Sequence, residues 1–557
     1  KSIMEKMMKK TVVQYLLTRL YDIGVSDIFG VAGDYSFPIN DAICENNKMR
    51  WIGCCNELNA AYAADGYARI KGIAALSTTF GVGELSAINA IAGSYAEYLP
   101  IFHLVGMPSS GAQESKKILH HSLGDGDFTL FYKMFQPISC AQAILTPENC
   151  IEEVERLITY ALFKRQPVYI GIPSDYAEMP IHTNKRYSVC TDIPQSNNQN
   201  LTKVINVILN KLLTSQKISL LPGILASRLG LTDELQTLIN KSNLPYATMI
   251  MDKGVLNETA SNYMGIYYGH LINTPVSEYI ESSDCIISIG AMMTDMNTGC
   301  FTAAIPSEYH INIMPDYVKI GSTVYSQVYM KDVLAKLKER IPSFHQNHPK
   351  VQCLDESLFT GYQSISAEYL YSRFEKMFKE NDIIFTDTGT PLMGLVFAQL
   401  PKGVQFCNQT LWGSIGWSTA AAFGAALAAP KRRVILITGE GAHQLTAQEI
   451  CQFARFQLKP IIFIINNDGY LFERLICKDP EAYYNDIAKW DYEKLPAALG
   501  CHDWNCQKVT RCNELDIAIN HAESSPFASY IEVVTDKYVA PELAHKLRGA
   551  LDSLYSS

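Results

Sequence analysis

The chain is predicted to be α/β, with three doubly wound parallel-sheet domains. Three observations predict this. Short apolar runs alternate with segments of helical period along the whole chain. Its 557 residues suffice for three or four domains at ~150 residues each. Two polar stretches, residues 195–199 and 342–350, part the pattern into segments of similar size. We place the domains at 1–190, 191–345 and 346–557. The composition is globular, with 48% hydrophobic and 18% charged residues. A net charge of −9 argues against a generally basic nucleic-acid binder.

The first ten residues are basic and Met-rich and run into an amphipathic helix pattern from Thr11. No apolar h-region with a small-residue cleavage site follows, so no secretory signal is expected. Strands are expected at 27–32, 74–79, 101–106 and 168–173. Residues 56–70 read as a helix whose Ala60, Ala61, Ala63 and Ala64 allow close approach of a neighbour. Residues 111–117 read as a polar, mobile loop. Residues 195–199 lack a helical period and read as a linker. Further strands are expected at 218–221, 246–250, 285–290 and 309–313, then at 383–387, 433–438, 460–466 and 529–534. Residues 403–430 carry no charge, yet they hold Gln405, Asn408, Gln409 and four glycines. They are short of the Leu/Ile/Val density of a bilayer span and read as a loop followed by a buried helix. The 15 cysteines include no C-x-x-C pair. They read as reduced, mostly buried thiols in a cytoplasmic protein.

The strongest chemical signal lies in the last third. One strand runs into Gly439-Glu440-Gly441, an amphipathic stretch at 444–457 follows, and a second strand ends in Asn466-Asn467-Asp468-Gly469. Glu440 and Asn467 are 27 positions apart, the span of one strand-helix-strand unit. Both then stand at the carboxyl edge of adjacent parallel strands, where α/β sheets bind ligands. A carboxylate, an amide oxygen and the Gly469 carbonyl are hard donors suited to Mg²⁺. Either segment alone would be an ordinary turn.

Here the chain resembles the thiamine-diphosphate-dependent enzymes, whose pattern is Gly-Asp-Gly followed by Asn-Asn after about thirty residues. The resemblance covers the whole chain and narrows to 2-keto acid decarboxylases of the pyruvate decarboxylase type. It is carried by Gly33-Asp34-Tyr35, the stretch from Asn56-Glu57 to Arg69, Gly81-Val-Gly-Glu-Leu-Ser86, His120-His121, Leu411-Trp-Gly-Ser-Ile-Gly416 and Asn467-Asp-Gly-Tyr-Leu-Phe-Glu473. His-His together with Glu473 favours the decarboxylase branch over acetolactate synthases.

The resemblance implies the remaining roles. Glu57 bonds the cofactor pyrimidine and promotes its active tautomer. On residues alone it reads as a solvated Glu at a helix start, favoured there by the helix dipole. Thr390, Gly413 and Ser414 line the pyrimidine site, and Ile415 wedges the cofactor into a V; on residues alone Ile415 is plain core. Gly441, Ala442, Asn467, Gly469 and Tyr470 hold the diphosphate, and Glu440, Asn467 and Gly469 hold the metal. Glu440 replaces the family's usual aspartate. Asp34, His120, His121 and Glu473 move protons once CO₂ has left and an enamine remains. Without the resemblance the two histidines would be an unremarkable surface pair. Leu392, Phe472 and Ile476 face the substrate, and bulky Phe472 predicts a short pocket.

The implied reaction converts pyruvate to acetaldehyde and CO₂, with thiamine diphosphate and Mg²⁺ as cofactors. The alternative is decarboxylation of indolepyruvate, phenylpyruvate or a branched-chain 2-keto acid. A non-catalytic scaffold and a nicotinamide dehydrogenase rank lower, the latter because Ser86 stands where a third dinucleotide-binding glycine is needed. A homodimer is the implied minimum active unit and a homotetramer the usual assembly. No nucleic-acid or membrane partner is expected. No cysteine lies between Cys190 and Cys285, which argues against activation through a middle-domain thiol.

Overall fold

A computed structural model describes residues 10–181, 193–354 and 361–556. The basic start at 1–9 and the expected boundary near residue 190 lie outside the described residues. Contacts gather the chain into two units. One comprises Lys1–Ile193, Thr419–Pro430 and Gln448–Phe456; the other comprises Pro194–Ser418, Lys431–Ala447 and Gln457–Ser557.

The first unit is built on one parallel sheet. Its strands are β1 (Asp27–Gly30), β2 (Arg50–Gly53), β3 (Ala74–Thr79), β4 (Ile101–Met107), β5 (Ala141–Ile144) and β6 (Val168–Pro173), in the spatial order β2-β1-β3-β4-β6-β5. Every residue of β3, β4 and β6 is buried, as expected of strands covered on both faces. The order reverses beside β1, with β2 on one side and β3 on the other. That switch point opens a crevice at the carboxyl ends of β1 and β3. Helix Glu57–Lys71 starts at Asn56, whose side chain accepts the Asn59 N–H at 2.8 Å, and stops at left-handed Gly72. Its small residues meet those of helix Trp417–Ala428. A Cβ on Gly66 would stand 1.9 Å from the Ala421 carbonyl oxygen, and one on Gly424 would stand 1.8 Å from that of Ala63. The uncharged stretch therefore ends in a buried helix that another backbone touches.

The second unit carries two sheets. The first holds β7 (Ile218–Pro222), β8 (Tyr246–Thr248), β9 (Tyr263–Ile266), β10 (Cys285–Ile289), β11 (His310–Ile313), β12 (Tyr317–Ile320) and β13 (Thr323–Ser326), in the order β13-β12-β11-β10-β7-β8-β9. Strands β11 to β13 form an antiparallel edge, a departure from the all-parallel expectation. The links between them are too short for a crossover helix, so the chain must fold straight back. The last sheet holds β14 (Ile383–Thr386), β15 (Gln405–Cys407), β16 (Val434–Gly439), β17 (Ile461–Asn466), β18 (Asn505–Val509) and β19 (Ser529–Val534), in the order β15-β14-β16-β17-β19-β18. All its pairs are parallel, and its winding repeats that of the first sheet.

Three local expectations are corrected. Residues 195–199 are not a plain linker, because helix Asn198–Thr214 begins there, capped by Asn197 and anchored by buried Val204, Ile205 and Ile208. The polar cap masked the helix start. Residues 111–117 begin in a short helix, Ser110–Glu114, capped by Ser109. The stretch 444–457 is not one helix; a 3₁₀ turn, Ala447–Glu449, separates Glu440–Thr446 from Ile450–Arg455. Every described cysteine is a free thiol. No described helix is long and apolar enough to cross a membrane.

Candidate active site

In the first sheet the chemistry sits at the switch point, and in the last sheet it sits at the carboxyl ends of β14, β16 and β17. In the first unit the chain leaving β1 turns through Gly33 into Asp34, and the chain leaving β3 turns at Gly81. Asp34 Oδ2 accepts from His120 Nε2 at 2.7 Å, and His121 Nε2 lies 3.9 Å from Asp34 Oδ1. The Tyr35 ring stacks on His120 at 4.9 Å, and its hydroxyl donates to the His120 carbonyl at 3.2 Å. His121 takes a left-handed backbone, with φ of 63°. A Cβ on Gly81 would stand 2.1 Å from the His121 carbonyl oxygen, so glycine is what admits this loop. Glu84 fixes the turn from below: it accepts the Gly81 N–H at 2.9 Å and the Tyr169 hydroxyl at 2.8 Å. Asp34, His120 and His121 thus form one cluster on a braced loop.

Glu57 stands half-buried in the first turn of its helix. Burial raises its carboxyl above the usual range, against the lowering effect of hydrogen bonds from its own backbone and from Ser86. Gly83 lies beside it: a Cβ there would stand 3.4 Å from Glu57 Oε1, in ordinary contact.

In the second unit β16 and β17 are adjacent and parallel, and they bring Glu440 beside Asn467 and Gly469. Glu440 is 2% exposed, and Oε1 accepts the Gly469 N–H at 2.8 Å. Burial pushes this carboxyl up to about 7. Asn467 Oδ1 is buried with no hydrogen-bond partner among the described residues. A buried acid and an orphaned amide oxygen at one strand edge form a set of hard oxygen donors that fits Mg²⁺. The cradle also needs its glycines. A Cβ on Gly441 would stand 2.6 Å from the Tyr470 ring, and one on Gly469 (φ +136°) 2.5 Å from Arg474. Ala442 follows in the same turn and is buried.

The loop from Gly413 into helix Trp417–Ala428 is held by a residue that the motifs did not single out. Asp387, at the end of β14, is buried and accepts from Thr388 N at 3.0 Å, Gly416 N at 3.1 Å, Ser418 N at 3.0 Å and Ser418 Oγ at 2.7 Å. Burial lifts its carboxyl from 3.8 to about 6. The signal available in the sequence was an acid ending an apolar strand two positions before Gly389. Gly413 is left-handed, and the Ser414 N–H donates to Gln409 Oε1 at 3.0 Å. Ile415 is half-buried rather than core. Thr446 donates to the Gly416 carbonyl at 2.6 Å, tying this loop to the helix that starts at Glu440. Thr390 is buried, and its carbonyl accepts the Tyr371 hydroxyl at 3.1 Å.

Glu473 lies in helix Leu471–Ile476, and burial raises its carboxyl. Leu392 is buried in the core of the last sheet, against which Phe472 and Ile476 pack half-buried.

The chain matches "Thiamine pyrophosphate enzyme, N-terminal TPP binding domain" over residues 10–129, the central domain of the same enzymes over 205–337 and their C-terminal TPP binding domain over 387–533. It is 39% identical to a protein named pyruvate decarboxylase from Aspergillus fumigatus, over 95% of each chain. It is 37% identical to an alpha-keto-acid decarboxylase from Mycobacterium leprae, over 98% of this chain and 96% of the other. It is also 37% identical to pyruvate decarboxylase isozyme 3 of Saccharomyces cerevisiae, over 96% of each. Chemistry at the carboxyl strand ends of two sheets of one winding, joined to this whole-length likeness, makes the chain a member of the thiamine pyrophosphate enzymes and, within them, of the 2-keto acid decarboxylases.

Proposed function

We propose that this chain converts pyruvate to acetaldehyde and CO₂, with thiamine diphosphate and Mg²⁺ bound. The observation that carries the cofactor reading is the buried pair of Glu440 and partnerless Asn467 Oδ1 at adjacent strand ends. Glu440, Asn467 and the Gly469 carbonyl would hold the metal. Gly441, Ala442 and Tyr470 would receive the diphosphate. Thr390, Gly413, Ser414 and Ile415 would hold the pyrimidine and bend the cofactor. Bound thiamine diphosphate supplies the electron sink for the charge left by departing CO₂.

The residues of the chain then handle protons. Glu57, its carboxyl raised by burial, shares a proton with the pyrimidine ring. Asp34 accepts from His120 Nε2 and so fixes which ring nitrogen carries hydrogen. His121, on the same braced loop, delivers the proton that completes the aldehyde. Glu473, also raised by burial, tolerates the substrate carboxylate as a neutral acid and donates afterwards. Phe472 and Leu392 shorten the pocket, with Ile476 beyond them, which favours pyruvate over indolepyruvate or phenylpyruvate.

The domain limits we propose are 1–190, 191–345 and 346–557, with the pyrimidine on the first and the diphosphate on the third. In this family's arrangement the two halves of a site come from different chains, so we propose a homodimer as the minimum unit and a homotetramer as the assembly. The cysteine spacing in the sequence is what supports a reducing, cytoplasmic setting. A keto-acid panel read by aldehyde formation tests the activity. Pyruvate is expected to give the highest kcat/KM; equal values for phenylpyruvate would overturn the short-pocket reading.

A further inference from the structure

Two thiols of the first unit meet outside the proton-handling cluster. Cys55 lies between β2 and helix Glu57–Lys71, two positions before Glu57, and it is exposed. Its Sγ stands 3.7 Å from Cys451 Sγ in helix Ile450–Arg455. The frame around the pair is fixed by backbone and buried groups. Glu449 Oε2 accepts the Cys55 N–H at 3.2 Å and Asn59 Nδ2 at 2.9 Å. Gln452 Nε2 donates to Cys55 Sγ at 3.7 Å. Cys54 turns away and donates to the Ile52 carbonyl.

We propose that Cys55 and Cys451 are a reversible dithiol–disulfide site, oxidised by hydrogen peroxide. A disulfide needs the sulfurs at ~2.05 Å, so they must close by somewhat under 2 Å, within the reach of rotation about two Cα–Cβ bonds. The exposed Cys55 sulfur attacks one peroxide oxygen as the thiolate. The O–O bond breaks, the first water leaves, and Cys55 becomes a sulfenic acid. Cys451 sulfur then attacks Cys55 sulfur, the S–O bond breaks, and the second water leaves. The two thiols give up two electrons and two protons to the peroxide. The Cys451 thiol and burial raise the Cys55 thiol, which keeps the thiolate scarce and the attack on peroxide slow.

The bond would tether the residue that leads into Glu57, so oxidation is expected to lower turnover; that consequence rests on the role proposed for Glu57. The test treats the holoenzyme with hydrogen peroxide and reads intact mass and cross-linked peptides. The expected result is loss of two hydrogens and a Cys55–Cys451 cross-linked peptide, both reversed by dithiothreitol. Cys451→Ser and Cys55→Ala are expected to keep basal activity and lose the cross-link. Peroxide that drives Cys55 to sulfinic acid with no cross-link, or leaves both thiols reduced, overturns the site. The mass readout needs no turnover, so it separates this site from the reading of Glu57. A cross-link with unchanged turnover keeps the site and overturns its coupling to Glu57.

Discussion

Asp387→Asn is the substitution whose outcome the structure fixes most closely. The carboxylate accepts hydrogen bonds from Thr388, Gly416 and Ser418, all aimed at one buried side chain. Asparagine offers a single acceptor oxygen. With that oxygen on the Ser418 side, where Gly416 also donates, its amino group faces the Thr388 N–H, and donor meets donor. One stranded buried donor costs ~1–3 kcal/mol. Against this, the variant escapes a buried charge. The rise of Asp387 from 3.8 to about 6 corresponds to ~3 kcal/mol in favour of the neutral form. The two terms offset, so overall stability at pH 7 should change little. The loop from Gly413 into helix Trp417–Ala428 loses its anchor, and thiamine diphosphate affinity should fall ~5- to 150-fold, the equivalent of that stranded donor. The acid also predicts a pH signature. Its folded value lies above the unfolded one, so its contribution is fully present below 3.8 and is lost as pH rises through about 6. The wild type should therefore gain stability over the variant as pH falls from 7 to 4. Urea unfolding across that range and cofactor titration by tryptophan fluorescence measure both effects. Unchanged cofactor affinity together with a pH-independent stability difference would refute the reasoning.

Further predictions concern the proton set, the metal edge, the second unit's core and the pocket. His121→Ala and Glu473→Gln should cut turnover ~10²–10⁴-fold with cofactor affinity unchanged, and normal turnover in His121→Ala would sink the proton relay. Glu440→Asp draws the carboxylate back from Gly469; half-saturation by Mg²⁺ should need more metal while turnover at saturation persists, and an unaltered metal titration would contradict ligation by Glu440. Lys253 is buried, with Nζ 3.0 Å from Glu258 Oε1 and 2.7 Å from the Ala398 carbonyl. Lys253→Met strands the Glu258 charge and should cost ~3–5 kcal/mol in denaturant unfolding; an unmoved midpoint counts against a buried ion pair there. Phe472→Val should raise kcat/KM for longer keto acids relative to pyruvate, and an unchanged ratio would show that the ring packs into the core and leaves the pocket open.

Long apolar strands and motif glycines were legible in the sequence because their signals are local. Burial on both faces forces continuous runs such as 461–465, and only glycine permits the turns at 81 and 469. The spacing of Glu440 and Asn467 was legible for the same reason, since one strand-helix-strand unit brings both to one edge. Edge strands such as β2, β5, β15 and β18 were missed. They are short and only partly apolar, and pairing with a neighbour, rather than their own residues, makes them strands. The end of β14 shows the same limit: the sequence displays an acid there, but only the folded chain brings Thr388, Gly416 and Ser418 to Asp387. The sequence by itself determined which residues carry chemistry, because glycine turns and hard oxygen donors are properties of residue type. The tertiary structure alone decided what holds them in place, because those partners are distant in the chain and meet only when the strands have found their order.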